Sequence, residues 1–361
     1  MPANFFVDAN IAQAATLDKR FYTDPQYFEL SKEKLFACSW QFIGSSDLVK
    51  HPGDLYPISL LANFLDEPLV LTKDKNGRIH LLSNVCTHRG NILVSEPCKS
   101  NNLRCKYHGR LFQLDGKFIS MPEFKEVENF PSSLDNLKQL SIARWGKLLF
   151  ANLDSRLPHQ LFLQDMIDRL SWLPIEEFKF QPDLTKDFIV KAHWALYCEN
   201  YLEGFHIPFV HTGLNEVIDF GNYTTEIFRY SNLQLGMAKD DADSFELPDY
   251  SPDYGKKIAA YYFFIFPNMM FNFYPWGLSI NVVNPISISQ SKISFYSYLW
   301  NPEKFNTGAG SGLDVVELED EEVVENVQRG VRSRFYEHGR YSVKREQGTH
   351  HLHQIIAALM K

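Results

Sequence analysis

The spacing of hydrophobic and polar positions changes along the chain and predicts three kinds of segment. Residues 18–40 have apolar positions at helical spacing among charges, which predicts helix. Residues 41–155 alternate short apolar runs with turn residues, a pattern that is typical of short strands. Residues 258–300 contain long aromatic runs of strand type, and residues 314–335 return to helical spacing. The pattern therefore predicts a small β domain followed by a mixed domain.

Two turn signals indicate antiparallel hairpins in the first β-rich region. Asn76-Gly77 and Asp115-Gly116 each lie between two short apolar runs. Both dipeptides favour the tight turns that join neighbouring antiparallel strands. We therefore expect the strands of residues 41–155 to form antiparallel sheets.

The predicted fold class is α+β, with three segments. Residues 1–40 form an N-terminal helical segment that packs on the larger domain, and residues 41–155 form the small antiparallel β domain. Residues 156–361 form the larger domain, in which helices flank an antiparallel sheet. A chain of 361 residues, 45% of them apolar, is long enough for two domains with their own cores.

Composition excludes several classes of partner. The net charge of −8 argues against nucleic acid, which needs a basic surface. We expect no membrane partner, because apolar runs such as the one near Ile258–Pro267 are too short to span a bilayer. The N-terminal residues contain Asp8 and no basic segment, so we expect no secretory signal. Five cysteines are a poor disulfide framework, so we expect a cytoplasmic protein.

The first candidate metal site combines two similar short motifs. Cys86 is followed two residues later by His88, and after sixteen further residues Cys105 is followed three residues later by His108. A Rieske [2Fe–2S] cluster needs this set, with two Cys on one iron and two His on the other. Both motifs follow predicted strands, so two loop tips could close over one cluster.

A zinc site is the alternative for these four residues. Zinc sites usually pair Cys with Cys and His with His, whereas each motif here is mixed, which favours the cluster. The remaining cysteines, Cys38, Cys98 and Cys198, have no His at ligand spacing, and we predict that they are small buried side chains.

A second candidate metal site lies further along the chain. Helical spacing places Glu199, Glu203 and His206 on one helix face, and Pro208 should end that helix and let His211 return to the same point. Two His and one carboxylate on one side of Fe(II) leave positions open for O₂. The alternative is a pair of ordinary histidines near a helix end.

The first site resembles that of Rieske non-haem iron ring-hydroxylating oxygenases, specifically their large (alpha) subunits. The residues that look like the family's Rieske motif are Cys86-Thr87-His88-Arg89-Gly90 and Cys105-Lys106-Tyr107-His108-Gly109. Respiratory Rieske proteins carry an extra cysteine in each motif, where this chain has Asn91 and Tyr107. Arg110 replaces a Trp that is common in the oxygenases, and we expect this to change the surroundings of the cluster and not its ligation.

The resemblance extends to the second site. By that match His206, His211 and Asp320 are the ligands of a mononuclear Fe(II), with Glu319 and Asp314 as alternatives to Asp320. Asn200 matches a family position near the iron.

Glu203 matches an acidic residue that connects the two metal sites in this family. The resemblance implies that it hydrogen-bonds His206 and, across a subunit interface, the Rieske ligand His108 of a neighbouring subunit. A homotrimer follows from the same resemblance. Glu at this position, where Asp is commoner, is similar to the choline, carnitine and betaine oxygenases that act on quaternary amines.

The resemblance implies a terminal oxygenase with two cofactors, the [2Fe–2S] cluster and the mononuclear Fe(II). It would use O₂ and electrons from NAD(P)H, supplied by a separate reductase directly or through a ferredoxin, because the chain lacks a dinucleotide fingerprint. The reaction would be hydroxylation or oxidative N-demethylation of a small organic substrate, a quaternary amine. The aromatic stretch Tyr261–Trp276 could bind such a substrate or could be sheet core.

Two other functions stay open at this point. One is an aromatic-ring-hydroxylating mono- or dioxygenase. The other is a Rieske electron carrier without enzyme activity, which would not need the second ligand set.

Overall fold

A computed structural model describes residues 5–154, 156–239 and 242–361. The chain forms two compact units. One is Ala37–Leu157, and the other combines the described residues up to Phe36 with Pro158–Lys361. The predicted α+β class is confirmed, because antiparallel sheets occur in both units and helices occur in the larger one. The predicted domain bounds at residues 40 and 155 stay predictions.

The smaller unit is built from short antiparallel strands. In chain order they are β1 Gln41–Ser45, β2 Asp54–Leu60, β3 Glu67–Lys73, β4 Ile79–Ser83, β5 Cys98–Lys99, β6 Leu103–Arg104, β7 Leu111–Phe112, β8 Phe118–Ser120, β9 Ser141–Trp145 and β10 Leu148–Asn152. They form three sheets, in the orders β1-β10-β9, β4-β3-β2-β5 and β6-β7-β8.

Both predicted hairpins are confirmed. The turn at Asn76-Gly77 joins β3 to β4, and Gly77 has a φ of +79° that a glycine adopts without strain. The turn at Asp115-Gly116 joins β7 to β8. Cys86 follows β4 and Cys105 follows β6, and both belong to the hydrophobic core of this unit. The core therefore fixes the positions of the two candidate cluster loops.

One large antiparallel sheet dominates the other unit. Its strands are β11 Lys179–Phe180, β12 Lys186–Val190, β13 Thr224–Ile227, β14 Ser231–Met237, β15 Ile258–Ile265, β16 Met269–Tyr274, β17 Gly277–Ser287 and β18 Gln290–Leu299. The order is β11-β18-β17-β16-β15-β14-β13, and β12 also pairs with β18. The side chains of β16 are all buried, so the sheet is covered on both faces at this strand.

Helices of this unit pack against the sheet and against one another. They are α1 Arg20–Thr23, α2 Pro25–Ser31, α3 Gln160–Arg169, α4 Trp194–Tyr201, α5 Ile207–Val210, α6 Thr212–Val217, α7 Leu313–Gly330 and α8 Gln347–Leu359. A π-helical turn, Lys32–Phe36, continues α2. Phe21 of α1 and Phe36 pack edge-on against Trp194 of α4. These contacts fix α4, whose C-terminal end carries candidate site residues.

Two further predictions have different outcomes. Cys38 and Cys198 are buried as expected, but Cys98 is exposed, because it lies on the two-residue strand β5 at a sheet edge. In the part of the chain that the structure describes, no helix is both long and apolar enough to cross a bilayer.

Candidate metal centres

Two loops of the smaller unit have the same backbone architecture, and each carries one candidate thiolate. In the first loop the N–H of Cys86 donates to the carbonyl of Asn91 at 2.9 Å, and its carbonyl accepts from the N–H of Gly90 at 3.0 Å. Cys105 makes the same two bonds, with the residues five and four positions later, at 2.8 and 3.0 Å. Gly90 and Gly109 have φ values of +68° and +78°. A glycine is therefore needed at the same point of both loops.

The four predicted cluster ligands come together at the tips of these loops. Cys86 and Cys105 are each 2% exposed, and their side chains lie within hydrogen-bonding distance of each other. The ring centroids of His88 and His108 are 4.9 Å apart. His108 is exposed at the surface of its unit, and the Tyr107 ring lies 3.7 Å from it.

The surroundings of the two loops shift the pKa values of their thiols in opposite directions. Burial raises the pKa of Cys86, whereas the pKa of Cys105 is lowered. Burial opposes ionisation of Cys105, but the backbone N–H groups of Tyr107 and His108 outweigh it and lower the pKa of the thiol. The Asn91 amide also donates to Cys105 Sγ, at 3.6 Å. Burial, and then the nearby charge of His108, lower the pKa of His88. Thiolate and neutral imidazole are the forms that ligate metal, so the shifts of Cys105 and His88 favour metal binding. The set of two Cys and two His fits a Rieske cluster.

Arg110 occupies a buried site beside the second loop. Its guanidinium carbon lies 4.9 Å from the ring centroid of Phe118 and 5.4 Å from that of Phe130, and its side chain is 2% exposed. Asp135 accepts a hydrogen bond from it at 2.5 Å. Arg110 therefore supplies a flat group that stacks on aromatic rings and adds a positive charge. The expectation that it leaves ligation unchanged stays a prediction.

The chain around the second candidate site is arranged differently from the prediction. Helix α4 ends two residues before Glu203, and Glu203 Oε2 accepts from the backbone N–H groups of Phe205 and His206, the latter at 3.1 Å. The predicted shared helix face of Glu199, Glu203 and His206 is therefore wrong. A side-chain carboxylate that satisfies these N–H groups stabilises a turn in place of a continued helix.

The prediction that Pro208 ends a helix is also wrong. Pro208 lies in the first turn of α5, where a missing N–H costs nothing. His206 immediately precedes α5 and His211 immediately follows it. One short helix thus turns the two rings toward each other, with 3.1 Å between their Nε2 atoms.

The structure brings Asp320 of α7 to the same point. Asp320 Oδ1 lies 3.0 Å from His211 Nε2 and 3.6 Å from His206 Nε2. One potential ligand atom from each of the three residues lies within 4.8 Å of the others. Of the two alternatives, Asp314 instead forms an ion pair with Lys186 at the surface. Glu319 contacts the far side of His211, where its Oε2 lies 2.7 Å from Nδ1.

The donor atoms of this site fit a bound cation. His206 Nδ1 lies 2.8 Å from a carboxylate oxygen of Glu203, and His211 Nδ1 is held by Glu319 in the same way. These carboxylates assign the ring proton to Nδ1 in both residues, which leaves both Nε2 lone pairs facing Asp320 Oδ1. With both rings neutral, these three acceptors converge without a donor and repel one another. A positive charge between them removes that repulsion, either a second proton on His211, whose pKa, in spite of burial, the carboxylates of Asp320 and Glu319 raise, or a metal ion. Two imidazoles and one carboxylate are the set that non-haem Fe(II) prefers.

A cavity next to this site is lined by aromatic side chains. His206, Asp320 and Asn200 form part of its wall. Its aromatic lining consists of Tyr197, Tyr201, Tyr223, Tyr262, Tyr274 and Phe295. The aromatic stretch between Tyr261 and Trp276 therefore contributes to the wall of the cavity and to the core of the sheet. Tyr262 and Tyr274 line the cavity, whereas Tyr261 and Trp276 are wholly buried.

Glu317 is a cavity residue that the motifs do not mark. It lies three positions before Asp320 on α7 and lines the same cavity. The one sequence signal for it is this spacing, because residues three apart on a helix share a face. Burial raises the pKa of Glu317 to about 8.

Two family models match this chain. Residues 170–361 match the model for the ring hydroxylating alpha subunit (catalytic domain), and residues 39–131 match the model for the Rieske [2Fe-2S] domain. The Rieske match decides between the cluster and zinc in favour of the cluster. The catalytic-domain match covers more than half of the chain and includes the second candidate site.

The chain is similar to several characterised proteins over nearly its whole length. It is 29% identical to the chloroplastic choline monooxygenase of Arabidopsis thaliana, over 96% of this chain and 83% of that protein. It is 28% identical to the carnitine monooxygenase oxygenase subunit of Escherichia coli (strain K12), over 100% of this chain and 97% of that protein. A solved quaternary ammonium Rieske monooxygenase, described with carnitine oxidation and inter-subunit electron transfer, has a TM-score of 0.78 at 23% identity. That likeness covers 99% of this chain and 100% of the other, and it shows the fold.

Proposed function

Because the chain belongs to the ring-hydroxylating oxygenase alpha-subunit family and carries a Rieske domain, we propose that it is the terminal oxygenase of a multicomponent system and acts on a quaternary amine. The chain is a Rieske non-haem iron oxygenase homologous to choline and carnitine monooxygenases. Its cofactors are a [2Fe–2S] cluster and a mononuclear iron. An electron carrier would need no second ligand set, so the facing pair His206 and His211 favours an enzyme.

The candidate ligands divide between the two cofactors. Cys86 and Cys105 would hold one iron of the cluster, and His88 and His108 the other. His206, His211 and Asp320 would hold the mononuclear iron. A set of three protein ligands would leave positions on the iron open for O₂ and substrate. When bound, the two cofactors supply electron storage and O₂ activation. The single observation that supports this reading most is the convergence of the three acceptor atoms at the second site.

The cavity supports a quaternary amine as the substrate. Five tyrosines line it, and Tyr262 and Tyr274 meet edge to face with 6.0 Å between their ring centroids. A trimethylammonium group binds aromatic faces through cation–π attraction. The carboxyl groups of Glu317 and Asp320 in the same wall favour a positive charge over a neutral hydrocarbon. Because of this electrostatic preference, an aromatic-ring-hydroxylating oxygenase is the second candidate function.

Electrons would reach the mononuclear site through Glu203. Its carboxylate bonds His206 Nδ1, and its side chain is 16% exposed. His108, the Rieske ligand at the other end of the proposed route, is exposed on its own unit. The partial exposure of Glu203 and the exposure of His108 suit a connection between neighbouring subunits of a homotrimer. A separate NAD(P)H-dependent reductase, alone or with a ferredoxin, would supply the cluster.

Substrate-dependent O₂ consumption tests the proposed substrate class. The purified holoenzyme, a matched reductase and NADH should consume O₂ in the presence of a quaternary amine, with the amine tested as a panel beside simple aromatics. Formaldehyde released from a methyl group would identify N-demethylation. A hydroxyl group added to the carbon chain would identify hydroxylation without loss of a methyl group. Turnover of aromatics alone would reject the quaternary amine.

Two variants test the division of ligands. Cys86→Ala should remove the visible absorption and the EPR signal of the reduced cluster. His206→Ala should leave both signals intact and abolish product formation, because it removes one iron ligand only. A His206→Ala variant that loses the Rieske signal, or that retains full activity, would refute the assignment.

A further inference from the structure

Glu317 is almost wholly buried, and only one of its two carboxyl oxygens has a hydrogen-bond partner. Its side chain is 3% exposed, and its Oε2 accepts a hydrogen bond from the Tyr197 hydroxyl at 2.5 Å. Its Oε1 is buried and has no hydrogen-bond partner among the described residues. A buried carboxyl oxygen without a partner costs free energy, which a bound ligand can recover.

A second buried oxygen in the cavity wall also has no hydrogen-bond partner. Gln234 is 1% exposed, and its Nε2 donates to the carbonyl of Tyr201 at 2.7 Å. This bond fixes the orientation of the amide and leaves Gln234 Oε1 without a partner. In the described lining of the cavity, the buried side-chain atoms that lack a partner are thus both acceptors. A ligand that interacts with these two oxygens must present a positive charge or a hydrogen-bond donor.

The charges of the cavity have the same sign as these acceptors. Its described lining contains the carboxyl groups of Glu203, Glu317 and Asp320 and neither Lys nor Arg. Glu203 and Asp320 are engaged by His206 and His211. Glu317 is therefore the acidic group of the wall that is not committed to the proposed iron site.

We infer that Glu317 determines substrate specificity, selecting a quaternary ammonium alcohol and rejecting amines that also carry a carboxylate. This inference rests on the proposed function. Glu317 Oε1 would act as the counter-charge of the ammonium group, which the tyrosine rings enclose. Gln234 Oε1 would accept a hydrogen bond from the hydroxyl at the other end of the substrate.

The selection follows from desolvation and charge. A substrate carboxylate that enters this cavity loses its water and meets no Lys or Arg to replace it. It would also meet Glu317, whose ionised form repels a carboxylate more strongly in a cavity than in water and whose neutral form offers it no positive charge. Burial raises the pKa of Glu317, so its carboxyl group readily changes charge state when a cation binds beside it.

Equilibrium binding to the anaerobic holoenzyme tests this inference with three probes. They are choline, glycine betaine, and 3,3-dimethylbutan-1-ol, which replaces the nitrogen of choline with carbon. Calorimetry should show choline binding at least about tenfold more tightly than either of the others, a difference that corresponds to about 1.4 kcal/mol. Glu317→Gln should reduce that preference over glycine betaine by about tenfold. Glu317→Asp keeps the charge and should retain part of the preference.

Glu322→Gln is the matched control, because Glu322 is an exposed residue on the same helix and does not line the cavity. This control should bind all three probes as the wild type does. Equal binding of choline and glycine betaine by the wild type would overturn the inference and leave the proposed function standing. An unchanged preference in Glu317→Gln would also overturn it. If no quaternary amine binds, the proposed function fails and this inference fails with it. If Glu317→Gln does not fold, Glu317→Asp supplies the variant comparison, and unchanged preference in that variant overturns the inference.

Discussion

Glu319 and His211 form a carboxylate–imidazole pair, with 2.7 Å between Glu319 Oε2 and His211 Nδ1. The next residue of the same helix, Asp320, contacts the other nitrogen of that ring at 3.0 Å. Two consecutive carboxylates thus hold both nitrogens of one imidazole. Glu203 holds His206 Nδ1 in the same manner, so each candidate iron-binding histidine has its own orienting carboxylate.

Loss of the Glu319 carboxylate should weaken iron binding at the mononuclear site. Glu319→Ala removes the acceptor for His211 Nδ1–H, and partners of this kind typically contribute 10- to 100-fold in metal affinity or activity. We expect about a tenfold loss, measured as iron retained during titration with a chelator. The absorption of the cluster should not change. Glu322→Ala, at an exposed position of α7, is the control, and equal iron retention in both variants would contradict this role for Glu319.

Removing the charge of Glu203 should slow electron arrival more than it weakens iron binding. Glu203→Gln keeps an oxygen that can accept from His206 Nδ1–H but loses the negative charge. We expect cluster reoxidation in a single turnover with O₂ and substrate to slow by about tenfold or more, with iron content nearly unchanged. Turnover at the wild-type rate would rule out the bridging role.

Local signals were sufficient for the parts of the fold that depend on neighbouring residues. Asn76-Gly77 and Asp115-Gly116 predicted both hairpins, because the backbone twist of a tight turn depends on those two residues. The spacing of the Cys and His residues also predicted that two loops of the smaller unit would bring them together. Each hairpin turn, and each Cys-to-His motif taken by itself, spans only a few residues.

The parts that spacing could not predict depend on tertiary contacts. The helix before His206 ends early because the Glu203 side chain bonds backbone N–H groups, an alternative that periodicity does not reveal. Which of two adjacent acids faces the site depends on the rotation of α7, since successive helical residues point about 100° apart. Glu317 could not be recognised because its significance comes from burial and an unpartnered oxygen.

Arg110 should stabilise the smaller unit and raise the reduction potential of the cluster. Its guanidinium is buried against Phe118 and Phe130 and paired with Asp135. Arg110→Met should lower the free energy of unfolding by about 2 kcal/mol, because it removes a charged hydrogen bond between a buried guanidinium and the partly exposed Asp135. It should also lower the potential by a few tens of mV, since a nearby positive charge favours the reduced cluster. Thermal unfolding and EPR-monitored redox titration measure the two effects.

Arg89→Met provides the comparison for Arg110, because Arg89 is an exposed cation in the first cluster loop. Arg89→Met should lower the free energy of unfolding much less than Arg110→Met does. If Arg110→Met leaves both the potential and the unfolding temperature at their wild-type values, Arg110 has neither role.

His193 should make the larger unit sensitive to acid. It lies at the N-terminal end of α4, where its Nδ1 accepts from the backbone N–H of Ala195 at 3.3 Å. The rings of Phe21 and Trp194 lie 5.3 and 5.6 Å from it. Burial lowers the pKa of His193 to about 3, from an ordinary value of 6.5. The folded protein therefore keeps this ring neutral at pH values where the unfolded chain protonates it.

The sign of the effect follows from this difference in pKa. Above pH 6.5 both states are neutral at His193 and the full stability is present. As the pH falls below that value, the unfolded state binds a proton that the folded state cannot, so stability falls by about 1.4 kcal/mol per pH unit. Near pH 5 this amounts to about 2 kcal/mol, and the loss continues until the pH reaches the folded-state value.

His193→Asn should remove this dependence and keep a helix cap, because Asn accepts from the same N–H group. Urea unfolding at pH 7.5 and pH 5 measures it. The variant should be less stable than the wild type at pH 7.5 through lost packing, and the gap should narrow by about 2 kcal/mol at pH 5. His338→Asn, at an exposed histidine of the same unit, should show no such narrowing. A constant gap between wild type and His193→Asn would mean that His193 does not carry the acid sensitivity, because only a proton taken up on unfolding can make the gap depend on pH.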